Sequence, residues 1–110
     1  MMSGFKTELP QILGAAKVAI NQLPASKAGV VILGLQAPSY REEVKVTVLT
    51  TRDKELQSLG REYFSMLAVA LALAGKRSEG QAYLEKAWSL PGMPGYFGKL
   101  CKDVHYTDAM

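Results

Sequence analysis

The chain has a single cysteine, Cys101, and a single histidine, His105. One thiol excludes an internal disulfide framework. A structural zinc site is closed by four ligands, and no second Cys or His exists to supply them. Charge of one sign is scarce as well. The net charge of +3 is dispersed, with residues 1–40 contributing +2, residues 41–60 balanced and residues 61–110 contributing +1. Binding driven by counterion release needs several cations gathered on one face, and no segment is a basic block. The first ten residues are interrupted by Glu8 and Pro10 and do not read as a signal peptide. The helix-forming stretch from Tyr63 to Ala74, apolar but for Ser65, has twelve residues, short of the roughly 20 that span a bilayer. These absences together lead to the expectation of a cytoplasmic protein without a membrane segment.

What is present is enough for one fold. Hydrophobic residues make up 48% of the 110 and charged residues 21%, a composition that folds rather than one that stays disordered. The length suits one domain, 1–110, with a modest core. The run Tyr63-Phe64-Ser65-Met66-Leu67-Ala68-Val69-Ala70-Leu71-Ala72-Leu73-Ala74 is good helix-forming sequence that is apolar on every side. Such a helix must be covered all round, by its own domain or by another chain. In so small a protein this points to a partner.

Along the chain, Ile12, Ala16, Ala19, Ile20 and Leu23 follow helical spacing from about Thr7 to Leu23, with Pro10 in the first turn and Pro24 as the stop. Then the pattern changes. Val30-Val31-Ile32-Leu33-Gly34-Leu35 is apolar at consecutive positions, as in a strand covered on both faces, and Val44-Lys45-Val46-Thr47-Val48 alternates, as in a half-buried strand. The polar stretch Gln36–Glu43 between them is too short for a crossover helix, which implies an antiparallel pair. Two strands alone are marginal in water. The hairpin is therefore expected to pair with its copy in a second subunit, or else to have both edges covered by the chain's own helices. Thr50-Thr51-Arg52-Asp53 supplies capping residues for the next helix, striped by Leu56, Leu59, Tyr63, Met66, Leu67, Ala70 and Ala74. Gly75 turns the chain into a third helix that opens at Arg77 or Ser78, with Tyr83, Leu84, Ala87, Trp88 and Leu90 inward and Pro91-Gly92 as its end. Residues 91–110 read as an irregular C-terminal segment. The expected fold is α+β in the order α-β-β-α-α.

The spacing Phe64-x2-Leu67-Ala68-x2-Leu71, followed by Gly80-x3-Leu84-x2-Ala87 and Pro91, resembles one helix pair of the tetratricopeptide family. Leu71 stands where that motif carries Tyr, Pro91 falls one place early, and no second copy is present. Such scaffolds are stable as stacks of three or more units. The spacing is thus read as an antiparallel helix hairpin, without that family's peptide groove.

Catalytic constellations are thin. Cys101-x3-His105 would set a thiol and an imidazole on one helical face near Asp103 and Asp108, the beginning of a metal site or of a nucleophile and base. Glu42-Glu43 point to opposite faces of a strand, and Asp53-x-Glu55 is explained by capping. No glycine-rich loop opens a helix after a strand. No active site and no cofactor are expected. Two surfaces suit a partner. Met93, Tyr96 and Phe97 lie in the Pro/Gly-rich stretch Leu90–Gly98, where they would fill pockets on another protein or clasp back onto this one; Tyr40 and Arg41 sit at the hairpin tip. Val31, Leu33, Val46, Met66 and Ala70 are the expected dimer interface. The functional expectation is a non-enzymatic adaptor, inhibitor or regulatory subunit, a homodimer that binds an unidentified protein. The alternative is nucleic-acid binding by Arg41, Lys45, Arg52, Lys54, Lys76 and Arg77 across a shared face. A third reading is an enzyme site formed between subunits from Tyr40, Arg41, Cys101 or His105.

Overall fold

The computed structural model describes residues 2–104, in which six helices follow one another: α1 (Met2–Gln22), α2 (Ala25–Leu33), α3 (Pro38–Thr50), α4 (Lys54–Leu73), α5 (Arg77–Trp88) and α6 (Tyr96–Asp103). No strand occurs among the described residues, so the α+β expectation is overturned. Residues 30–33 close α2, and residues 44–48 lie within α3. The reason is geometric. Positions 44 and 48 satisfy a period of two, and they are also one helical turn apart. Val44 and Val48 are both fully buried while Val46 between them is 60% exposed, which is one helical face. In α2, Ala28, Gly29 and Ile32 face inward, while Val30 and Val31 are exposed. Tertiary packing of a helical face overrides the β preference of the valines.

Helix α4 is the hub and packs against every other helix. Asp53 caps its N-terminus, accepting hydrogen bonds from the Glu55 and Leu56 amides at 3.0 and 3.2 Å. Tyr63, Phe64, Met66 and Leu67 are wholly buried, each contributing roughly 1.5–3 kcal/mol by leaving water. The all-round apolar surface of this helix is covered by the chain's own α1, α2, α3, α5 and α6. Gly75, at φ +83°, turns α4 into α5, and the two form the expected hairpin, with Phe64 and Tyr83 rings 6.1 Å apart. Leu84 and Ala87 are buried, Leu90 nearly so, and Tyr83 and Trp88 pack on the core.

Two glycines set close approaches to neighbouring helices. A Cβ at Gly29 would stand 2.7 Å from the Ala70 carbonyl oxygen, so α2 lies directly on the backbone of α4. Gly60 leaves room on α4 for the Val48 side chain of α3. Pro10 lies inside α1 rather than in its first turn, leaving the Lys6 carbonyl without its helical donor. The expected irregular segment contains α6. Its N-terminus is tied to α4 by Glu62, which accepts from the Phe97 amide at 2.9 Å, and Arg61 holds the preceding loop through the Leu90 and Gly92 carbonyls. Among the described residues no helix is long and apolar enough to cross a membrane.

Candidate functional site

A cleft of about 400 Å³ opens between α1 and the corner where α2 passes into α3. Helix α1 contributes Glu8, Gln11 and Ile12, spaced i, i+3 and i+4 so that they share one face. The corner contributes Leu35, Gln36 and Ala37, and the first turn of α3 contributes Tyr40. Tyr40 is fixed twice. Its ring meets Phe5 edge-on, with centroids 5.5 Å apart, and its hydroxyl donates to Glu8 Oε1 at 2.9 Å. Gln36 is buried at the back of the cleft. Its Nε2 donates to the Ile32 carbonyl at 2.9 Å, and its Oε1 accepts from the Tyr63 hydroxyl at 2.7 Å. Burial above all holds both phenols protonated well beyond the ordinary tyrosine range, and for Tyr40 the bond to Glu8 adds to it. They act as fixed donors. The cleft therefore presents an apolar wall, two side-chain amides and one carboxylate, of which Oε1 is engaged by Tyr40.

Two other concavities lie elsewhere on the surface. One of about 290 Å³ lies among α1, α2, α4 and α6, with Ile20, Leu23, Leu73 and Leu100 inside and Asp103 at its rim. Another of about 360 Å³ borders Lys6, Glu55, Glu62 and Met93; here Lys6 bridges Asp53 and Glu55 at 2.6 and 3.3 Å.

The sequence-derived candidates separate in space. Tyr40 lines the cleft. Arg41, next to it, is half-buried and its Nε is enclosed with no hydrogen-bond partner. Met93 is 83% exposed. Tyr96 is half-buried against α1, its ring beneath the Lys17 ammonium at 4.9 Å, and Phe97 is buried in the chain's own core. The aromatic pair thus clasps back. Of the expected dimer surface, Met66 and Ala70 are fully buried within the monomer, Leu33 packs on the core, and Val31 and Val46 remain exposed on two different helices. Their route to each other through strand pairing is gone with the hairpin. The six cations of the nucleic-acid alternative lie on α3, around the α3–α4 junction and at the α4–α5 turn. Lys45 is held by Glu42 at 2.9 Å, and Arg77 donates to the Val104 carbonyl at 2.8 Å.

Cys101 is buried, and desolvation pushes its thiol up to about 12, so it stays protonated and weakly nucleophilic at neutral pH. Its proposed companions His105 and Asp108 lie outside the described residues. Among the described residues no three His, Cys, Asp or Glu side chains gather as a metal site. Sequence reasoning missed Glu8, Gln36 and Tyr63. Glu8 is 32 positions from Tyr40 and Tyr63 is 27 from Gln36, separations at which no local pattern connects them. Comparison with protein-family models, with curated proteins and with solved structures finds no match.

Proposed function

We propose that the protein is a non-enzymatic binding module, an adaptor, inhibitor or regulatory subunit, that works as a homodimer and engages another macromolecule through its α2–α3 side. One observation supports this reading. Of the seven large apolar side chains that are exposed among the described residues, five lie between residues 30 and 49: Val30, Val31, Leu35, Val46 and Leu49. Exposed apolar side chains on successive helices supply surface that a protein–protein contact can bury. The interface in this reading is a helical surface that keeps Val31 and Val46 from the sequence-derived set.

Sedimentation velocity over a wide concentration range tests it. The expected result is a dimer that Val30→Lys and Val46→Lys each convert to monomer with helical content unchanged. A wild-type chain that stays monomeric at hundreds of micromolar contradicts the homodimer.

A further inference from the structure

We propose that the cleft between α1 and the α2–α3 corner is a receptor for an arginine side chain presented by a partner protein. This rests on the binding-module reading above and names the chemistry of one contact.

The charge of the cleft comes first. Among the described residues Glu8 carries the only formal charge on its lining, and no cation lies within ion-pair distance of that carboxylate. Tyr40 engages Oε1 and leaves Oε2 as an acceptor. The neighbouring Glu43 carboxylate adds its field at the Tyr40 hydroxyl. Lys6, the nearest cation in sequence, is engaged by Asp53 and Glu55, and Arg41 forms no ion pair with Glu8, its charge being felt at the Tyr63 hydroxyl.

The shape is selective in the same direction. Ile12, Leu35 and Ala37 form an apolar wall against which a methylene stem can lie, while the head group reaches acceptors. Gln36 is held by Tyr63 and by the Ile32 carbonyl, so its amide is already oriented when a ligand arrives. Its carbonyl oxygen is taken up by the fully buried Tyr63, and the exposed Gln11 amide on the opposite wall supplies the amide oxygen that a ligand can reach. A guanidinium, with five donors in a planar fork, can use a carboxylate and an amide oxygen together, whereas an ammonium is a point charge on a strongly hydrated group.

Nuclear magnetic resonance on the full chain at low ionic strength tests this with three probes: n-butylguanidinium, its uncharged isostere N-butylurea, and the blocked tripeptide acetyl-Gly-Arg-Gly-amide. The expected result is saturable shifts at the Gln36 side-chain amide and the Tyr40 backbone amide with butylguanidinium and with the tripeptide, and none with the urea. Glu8→Gln keeps an acceptor for the Tyr40 hydroxyl and is expected to weaken binding roughly tenfold, the loss of one charge-assisted contact. Equal binding of the urea, undiminished binding to the Glu8→Gln chain, or no saturable shift overturns the proposal. Butylguanidinium binding without the tripeptide overturns the assignment to a protein side chain. Sedimentation reports separately on self-association, so the homodimer can fail while the cleft chemistry stands, and the reverse.

Discussion

Helix α4 buries eleven of its twenty residues, and helix α3 buries two of its thirteen. The first is capped by Asp53 and surrounded by five helices. The second has Ala37 at its N-cap with no side-chain bond, rests on α4 through Val44 and Val48, and is pinned at one end by Tyr40. The contrast separates what holds the molecule together from what it offers to others. An element fastened by two buried valines and one pinned tyrosine opens at lower free energy than the hub, and surfaces that bind partners are drawn from such elements. The same segment carries the exposed aliphatics and one wall of the Glu8 cleft.

The largest break in this contrast comes from the hub. Phe64→Ala removes a fully buried ring from the middle of α4 and is expected to cost about 3–5 kcal/mol in a urea denaturation series. A loss below about 1 kcal/mol would mean that α4 is not the centre of the core.

Gly60→Ala attacks the seam between the two helices. The added Cβ runs into the Val48 side chain, an overpacking cost of about 1–3 kcal/mol, against a helix-propensity gain of up to about 1 kcal/mol. Val48→Ala in the same chain vacates that space, so a double-mutant cycle should show favourable coupling between the two changes. Additive effects would place α3 elsewhere.

How much of this was legible can be argued from the same two helices. Twelve residues that are apolar but for Ser65, an Asp at the cap and a Gly at the turn leave one interpretation, and α4 with its α5 partner follows the sequence closely. Val44-x-Val46-x-Val48 supports two periods at once, and Val30–Leu33 is too short to show any. The missing signal was Pro38, which opens α3 at its first turn, followed by Arg41, Glu42, Glu43 and Lys45, all residues that helices accept. Glu42 and Lys45 form an i, i+3 ion pair there. Tyr40 was visible as a candidate because of its residue type. Its partner Glu8 and the buried Gln36–Tyr63 pair were not, because only the tertiary fold brings α1, the corner and α4 together.

The smallest expected effect lies at the α4 cap. The Lys6 ammonium first, then the Leu56 amide, hold the Asp53 carboxyl below its ordinary value. A carboxyl lowered on folding contributes stability above its unfolded value, about 4, and that contribution fades as the pH falls through the folded value. Asp53→Asn keeps a good cap residue and removes the titration. The expected outcome is a shallower loss of thermal midpoint below about pH 4, and an unchanged acid limb would assign it to other carboxyls.

Amide hydrogen exchange, read residue by residue in native buffer, tests the central contrast most directly. The account predicts that the α3 amides exchange through a local opening well below the global unfolding free energy, while the Tyr63–Leu71 amides of α4 exchange only with global unfolding. Equal protection in the two helices would contradict it.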